Sequence, residues 1–254
     1  MARRPRIDMP GFHHIMNRGV EQRKIFLDEE DFEVFLKLLC DACLLHNATL
    51  HSYCLMTNHY HLLVETKHEN LSLLMRFINS QYASYFNRKL KRVGHLWQGR
   101  FKSWYITDES YLYTLIKYIQ YNPIKAKMVN HLSDYPYSSY QFFTKRVSPL
   151  VCLSNSLMFK DFENIEDRIS FFESGYDEDI IKTIAKSSHL VISSDVKPPL
   201  NSKLLVSLFK DATTKSQRDK NIKKAIKMGF SQHKVATFLK ISQPTISNIM
   251  KRDH

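Results

Sequence analysis

Residues 53–66 read Tyr-Cys-Leu-Met-Thr-Asn-His-Tyr-His-Leu-Leu-Val-Glu-Thr, and their alternation predicts a β-strand. His59 and His61 are two residues apart, so on a strand both imidazoles lie on one face of the sheet. The apolar side chains of Leu62 and Val64 lie on the opposite face. Two imidazoles on one face form half of a divalent-metal site, or else they are polar residues of an ordinary sheet surface.

The flanking segments predict further strands and helices in alternation. Strands are predicted over residues 9–18, 48–56 and 97–107, and helices over 31–45, 71–90 and 110–121. Acidic residues 28–31 precede the first helix, where the helix dipole favours negative charge. The order strand–helix–strand–strand–helix–strand–helix predicts an α+β fold, with helices packed against one antiparallel sheet.

The C-terminal residues predict a separate helical module. Ser231 and Ser242 are suited to cap two successive helices, and Pro244 fits the first turn of the second helix. The apolar spacing fits a helix-turn-helix, with Lys240 in the turn where glycine is usual, or another small basic helical bundle. In a helix-turn-helix the residues facing the DNA major groove would be Gln243, Thr245, Ser247 and Asn248.

Charge divides the chain into three parts. The 254 residues carry a formal net charge of +12. Residues 151–196 contain 4 Lys and Arg against 9 Asp and Glu, whereas 197–254 contain 13 against 3. We predict a catalytic domain over 1–147, a helical or irregular connector over 148–200 and a helix-turn-helix domain over 201–254. Two basic parts flanking an acidic one are suited to a polyanionic partner such as nucleic acid.

Composition also indicates a compartment. No apolar run approaches the ~20 residues of a membrane span, and no apolar signal core follows the basic start. We therefore expect a cytoplasmic protein without a membrane partner. Cys40 and Cys43 form a CxxC pattern in a predicted helix. This pattern fits a zinc or redox pair, or, as we expect, two small core residues.

A tyrosine and an asparagine four residues apart suggest a reaction. Tyr118 and Asn122 share one face of a predicted helix. A tyrosine hydroxyl can attack a DNA phosphate, form a phosphotyrosine and release a 3′-hydroxyl. The amide oxygen of Asn122 could join the histidines around Mg²⁺ or Mn²⁺, which prefer oxygen ligands. Otherwise Tyr118 is a half-buried aromatic residue, and Asn122 caps a new helix that begins after Pro123.

A basic and aromatic stretch suits single-stranded DNA. Residues 71–107 contain no Asp or Glu but seven Lys and Arg, with aromatic residues interleaved. Cations can follow phosphates while aromatic rings stack on unpaired bases. We expect DNA contacts from Arg3, Arg4, Arg18, Arg88, Lys89, Arg92, Trp97, Gln98, Arg100 and Lys102.

Motifs across residues 5–145 resemble the single-tyrosine HUH transposases of the IS200/IS605 type, and most closely the REP-associated tyrosine transposases. The matching motifs are Arg18-Gly19, residues 55–66, 86–88 and 94–102, Tyr118-Ile-Gln-Tyr-Asn-Pro123 and residues 135–140. The resemblance implies a ferredoxin-like fold and metal-dependent nicking of single-stranded, hairpin-forming DNA. It implies His59 and His61 as metal ligands, Tyr118 as the nucleophile and Asn122 as the third ligand, where relatives often carry Gln.

Two other functions fit the same residues. A non-catalytic DNA-binding regulator would use the fold and the C-terminal module without the tyrosine chemistry. A metallonuclease would activate water and keep Tyr118 for structure. The resemblance implies a covalent 5′-phosphotyrosine intermediate instead, and it leaves open a monomer or a homodimer.

Overall fold

A computed structural model describes residues 7–176, 178–179, 181, 208–210, 212, 214–227 and 232–251. These residues belong to two compact units. The first takes its residues from Met1–Ile106 and Tyr113–Leu190, and the second from Thr107–Leu112 and Val191–His254. None of the described helices is long and apolar enough to cross a membrane.

Four antiparallel strands form the sheet of the first unit. They are β1 (Gly11–Arg18), β2 (Ala48–Met56), β3 (His59–Thr66) and β4 (Lys102–Tyr105), in the spatial order β2-β3-β1-β4. Helix α1 (Glu29–Leu45) joins β1 to β2, and α2 (Leu71–Lys89) joins β3 to β4. This βαββαβ unit confirms the predicted α+β, ferredoxin-like sheet. The strand predicted over 97–107 is shorter, because only an isolated bridge joins Trp97 to Gly19 before β4 begins.

One face of the sheet packs against α1 and α2. Tyr60 of β3 is fully buried there, with its ring centre 4.9 Å from that of Phe35 on α1. Its hydroxyl donates a hydrogen bond to Asn79 Oδ1 on α2 at 2.8 Å. Ile15 and Leu62, paired across β1 and β3, are also fully buried. Because side chains alternate along each strand, His59 and His61 lie on the other face.

A buried ion cluster joins the start of α1 to the end of α2. Asp31 is completely buried and accepts hydrogen bonds from Leu27 N, Tyr85 Oη and Lys89 Nζ. Lys89 also pairs with Asp28 and Glu30, at 2.7 and 2.9 Å. Three carboxylates thus neutralise Lys89, which was predicted to contact DNA. The sequence around Lys89 did not indicate these ion pairs, because the acidic partners belong to α1.

We predict that Lys89→Met destabilises the first unit by about 2 kcal/mol, because it leaves the buried Asp31 carboxylate without its cation. Lys37→Met is the matched control, since Lys37 pairs with Asp41 on the surface, with side chains 78% and 45% exposed. That change should cost less than about 1 kcal/mol. Urea unfolding of both variants measures the difference. Equal decreases in the free energy of unfolding of the two variants would contradict a structural role for the cluster.

In the described part of the first unit, further helices follow the sheet. They are α3 (Leu112–Lys125), α4 (Tyr140–Thr144), α5 (Leu157–Asp161) and α6 (Ile165–Glu173). Arg168 of α6 donates a hydrogen bond to the Phe143 carbonyl of α4 at 2.6 Å, and the Phe172 ring packs against Tyr140. Part of the connector predicted over 148–200 is therefore packed into the first unit.

The cysteines depart from the expected pattern. Cys40 forms a disulfide with Cys152, whereas Cys43 and Cys54 are buried free thiols. Burial raises the pKa of the Cys43 thiol to about 12, so it stays protonated and unreactive. The expectation of two small core residues is correct for Cys43 and wrong for Cys40. The cause is that Cys152 lies 112 residues further along the chain and no spacing pattern relates the two.

The described part of the second unit contains three helices, α7 (Lys215–Lys227), α8 (Gln232–Leu239) and α9 (Gln243–Lys251). Their shared core is formed by Ile222, Ala225, Val235, Ala236, Ile246 and Ile249. Lys240, in the turn between α8 and α9, has φ +53°, the left-handed conformation that glycine usually supplies. The Ser242 hydroxyl accepts a hydrogen bond from Thr245 N at 3.3 Å, as an N-cap does. Ser231 lies outside the described residues, and use of this unit as a helix-turn-helix stays a prediction.

Candidate active site

Helix α3 brings Tyr118 to the sheet face that carries the two histidines. The ring centres of His59 and His61 are 5.1 Å apart, and that of Tyr118 is 6.0 Å from His61. The strand supplies both imidazoles, and a separate helix supplies the phenol. Residues 57 positions apart in the sequence, His61 and Tyr118, thus form one cluster.

The two histidines are neutral and keep a lone pair for a metal ion. Burial is the main cause that lowers the pKa of both, and the charge of Arg18 adds to the effect on His59. The Nδ1 of His59 lies 2.6 Å from Asn58 Oδ1. Because an amide oxygen only accepts, Nδ1 carries the proton and the lone pair is on Nε2. Neutral imidazoles held in this way are suitable ligands for a divalent cation.

His14 of β1 is the nearest neighbour of His61 that the sequence analysis missed. Its Nε2 lies 3.1 Å from His61 Nδ1, and its ring stacks on Trp104 with 5.1 Å between ring centres. The Tyr118 ring is 5.9 Å away, so His14 contacts both candidate functional groups. Its place on this face follows from its pairing with Leu63 of β3. The alternation of side chains along β1 would have placed His14 on this face, but only if the order of the strands in the sheet had been known.

Asn122 stabilises α3 one turn beyond Tyr118. Its Nδ2 donates hydrogen bonds to the carbonyls of Tyr118 and Ile119, at 2.9 and 3.2 Å. Pro123 has no N–H for the Ile119 carbonyl, and the Asn122 amide replaces that bond, so α3 continues through the proline to Lys125. The alternative of a new helix after Asn122 is therefore wrong. The side-chain oxygen points away from these two bonds and remains a candidate metal ligand.

No complete set of metal ligands is present in the described part of the chain. Within these residues, no group of three or more His, Cys, Asp or Glu side chains is arranged to hold a metal ion. His59, His61 and His14 supply ring nitrogens at this face. Asn122 as a third, oxygen ligand stays a prediction.

The surroundings of Tyr118 set its protonation. Burial raises the pKa of the hydroxyl, and the Lys125 ammonium, 5.5 Å from the ring centre, opposes that rise. Tyr176 packs its ring edge-on against Tyr118, with ring centres 5.9 Å apart. The hydroxyl is therefore protonated at neutral pH and needs a positive charge nearby to react as a phenolate.

Some of the predicted DNA contacts surround this cluster and others have structural roles. Arg18 of β1 is the cross-strand partner of His59 on β3. Lys102 of β4 is the partner of Met16 on β1, and Met16 is the partner of His61 on β3. Both cations are exposed and lie on the histidine face. Arg18 also donates a hydrogen bond to the exposed Gln98. The other exposed cations of the predicted set are Arg88 and Arg100.

The remaining predicted contacts are engaged elsewhere or lie outside the described residues. The Trp97 indole N–H donates to the Asn79 carbonyl at 2.8 Å, so its ring is half-buried against α2. Arg92 donates to Asn87 Oδ1 and to the His95 carbonyl, which fixes its own loop. Arg3 and Arg4 are not among the described residues. Thr245, Ser247, Asn248 and the backbone of Gln243 belong to α9 of the second unit.

Comparison with known proteins shows which proteins the first unit resembles. Residues 12–122, which contain both histidines and Tyr118, match the family described as Transposase IS200 like. This part of the chain is similar to IS200-like transposases. A curated relative from Haemophilus influenzae, described as a REP-associated tyrosine transposase, is 30% identical over 98 residues. That alignment spans 34% of this chain and 56% of the relative, so the chain covers only about half of that relative's length.

A solved structure has the same fold as the first unit. It is described as a REP-associated tyrosine transposase bound to a REP hairpin, and it superposes with a TM-score of 0.50 at 18% identity. The match covers 60% of this chain and 96% of the other. This match supports the arrangement of helices on a four-stranded antiparallel sheet. The family match and the curated relative confirm the resemblance noted in the sequence.

We predict that the first unit loses stability in acid, and that His14 contributes to this loss. Burial lowers the His14 pKa to about 3, whereas in the unfolded chain it titrates near 6.5. The unfolded state therefore binds an extra proton as pH falls below 6.5, and the free energy of unfolding decreases. His14→Gln should flatten this dependence by up to ~1.4 kcal/mol per pH unit. Urea unfolding of wild type and His14→Gln in EDTA between pH 7 and 5 measures this dependence. Equal slopes of unfolding free energy against pH in the two proteins would contradict the prediction.

Proposed function

We propose that this chain is a metal-dependent endonuclease and strand transferase. Its substrate would be single-stranded DNA of hairpin-forming repeats, cut through a covalent 5′-phosphotyrosine at Tyr118. The observation that carries the proposal is the approach of Tyr118 to His61 on a sheet face edged by the exposed Arg18 and Lys102. A phenol, two neutral imidazoles and free cations together suit an attack on a DNA phosphate.

We propose that a divalent ion binds at this face. His59 and His61 would hold Mg²⁺ or Mn²⁺ through ring nitrogens, and Asn122 through its side-chain oxygen. When bound, such an ion supplies Lewis acidity to a phosphate oxygen. The Asn58 amide fixes the tautomer of His59, and His14 lies against the Nδ1 of His61. Both contacts orient the imidazoles before any substrate arrives.

The chemistry assigned to the chain is an exchange of phosphate esters. The Tyr118 oxygen forms a bond to phosphorus and loses its proton, while the bond from phosphorus to the DNA 3′-oxygen breaks. The 3′-oxygen leaves as a hydroxyl after taking up a proton. The Lys125 ammonium, which also pairs with Glu178 at 2.9 Å, lies 5.5 Å from the Tyr118 ring centre and would stabilise the phenolate as it forms. A later 3′-hydroxyl can attack the phosphotyrosine and restore the DNA ester, which joins two strands and frees Tyr118.

The hairpin substrate is proposed by analogy. The neighbouring solved structure is described as bound to a REP hairpin, and the curated relative carries the same family description. Exposed Arg88 and Arg100 add positive charge to the unit that would bind such DNA. The chain could act as a monomer or as a homodimer.

We predict that Tyr118→Phe abolishes the covalent adduct, because phenylalanine has no oxygen to bond phosphorus. The wild-type chain is incubated with 5′- and 3′-labelled hairpin DNA and Mn²⁺, then separated on a denaturing gel. Tyr121→Phe is the matched control, since the Tyr121 hydroxyl donates to the Phe172 carbonyl away from the histidines. Its adduct should persist, and EDTA or His61→Ala should remove the wild-type adduct.

Other outcomes of this assay would identify the rival functions. Cleavage that persists in Tyr118→Phe without any adduct would indicate a nuclease that activates water. Binding without cleavage by the wild-type chain, with Mg²⁺ and Mn²⁺ both tested, would indicate a non-catalytic DNA-binding regulator. Either result would overturn the proposed nucleophile.

We also propose that the second unit binds duplex DNA through α9. Thr245 and Asn248 are exposed on this helix, and the turn before it is capped by Ser242. Polar side chains near the start of the second helix are the ones that reach base edges in this motif.

We predict that Asn248→Ala weakens binding of the full chain to its preferred duplex, selected from a random library, by about fivefold or more. Thr237→Ala, at an exposed position on α8, is the control and should leave the affinity unchanged. Fluorescence anisotropy measures both variants. Equal affinity of wild type and Asn248→Ala would contradict the role assigned to α9.

A further inference from the structure

A cleft of about 440 Å³ lies between α3 and α6 in the first unit. This volume is within the range of cavities that hold small ligands. Its wall on α6 belongs to residues beyond 122, outside the part of the chain that matches the transposase family. The lining residues are Tyr113, Thr114, Lys117, Phe171, Ser174, Gly175 and Tyr176.

Lys117 places a positive charge in this cleft. Its ammonium donates a hydrogen bond to Ser174 Oγ at 2.5 Å and lies 4.3 Å from the centre of the Phe171 ring. Burial lowers its pKa, and no carboxylate of the described residues, Glu178 included, forms an ion pair with it. Burying a cation that none of these carboxylates pairs with is costly, and an anion bound in the cleft would offset that cost.

Aromatic rings form the other walls. Tyr113 is almost completely buried and donates its hydroxyl proton to Asp161, which fixes the ring. The Phe171 ring stands edge-on to it, with ring centres 5.9 Å apart. Tyr176 lines the cleft on the side of Tyr118. Flat apolar walls around one cation match a ligand that combines an aromatic base with a phosphate.

Tyr176 links the cleft to the candidate active site. Tyr176 lines it and also packs against Tyr118, and Lys117 is the neighbour of Tyr118 on α3. We propose that the cleft binds one unpaired nucleotide of the DNA strand beside the scissile phosphate. Its base would lie against Phe171 and Tyr176, and its phosphate would contact Lys117. This inference rests on the proposed function, because it assumes that the strand passes Tyr118.

The test measures binding of fluorescein-labelled oligo-dT to the full-length chain by anisotropy, at several salt concentrations and with Tyr118→Phe in every protein to prevent cleavage. Phe171→Leu keeps apolar bulk but removes the flat ring, and should raise Kd at least about fivefold. Lys117→Gln should reduce the slope of log Kd against log salt by about 0.7, the value for one phosphate contact on a single strand. Lys117→Arg should keep the slope.

Phe142→Leu is the control for loss of an aromatic ring, since Phe142 is half-buried on α4 outside the cleft. Circular dichroism verifies the folding of each variant. If Phe171→Leu is unfolded, the salt dependence of Lys117→Gln alone tests the inference. Unchanged affinity and slope in the cleft variants, or no binding of oligo-dT at all, would overturn the inference. If the wild-type chain forms no Tyr118 adduct but the cleft variants lose affinity, the subsite stands and the proposed nicking fails.

Discussion

The position of the candidate nucleophile depends on the buried amide of Gln120. Its Nε2 donates to Ser52 Oγ on β2 and to Ser139 Oγ, at 2.6 and 2.8 Å, and its Oε1 accepts from Tyr140 N at 2.9 Å. These bonds tie the middle of α3 to the sheet and to the start of α4. Each unpaired group would cost about 1–3 kcal/mol in a buried site, so the helix has one favoured position. With Gln120 held there, Tyr118 lies two residues earlier against His61.

The sequence predicted most of the first unit because its signals are local. Strand alternation and helical spacing depend on neighbouring residues, and they placed β1, β2, α1 and α2 within one or two residues of their bounds. The pairing of His59 and His61 was equally local, since two residues of one strand share a face. Tyr118 needed the resemblance to known transposases as well, because nothing in its own helix shows which surface that helix covers.

What the sequence could not supply depends on contacts between distant elements. His14 meets His61 only because β1 lies beside β3, and Cys40 meets Cys152 across 112 residues. The same applies to charge. Lys89 and Arg88 are adjacent in a basic stretch, yet Lys89 turns to the carboxylates of α1 while Arg88 stays exposed. Composition therefore indicated a nucleic-acid partner, but it could not separate free cations from cations that hold helices together.

Helix α3 uses two of its faces for different contacts, and the helical repeat explains how. Successive residues are rotated by about 100°, so Tyr118 turns to the histidines while Lys117 turns to α6. Tyr113 and Lys117, four residues apart, share the face of the cleft, just as Tyr118 and Asn122 share the face of the sheet. A DNA strand that reaches Tyr118 therefore lies beside a second surface of the same helix. Because one rigid element holds both surfaces, the nucleotide beside the scissile phosphate would be fixed relative to the attacking oxygen.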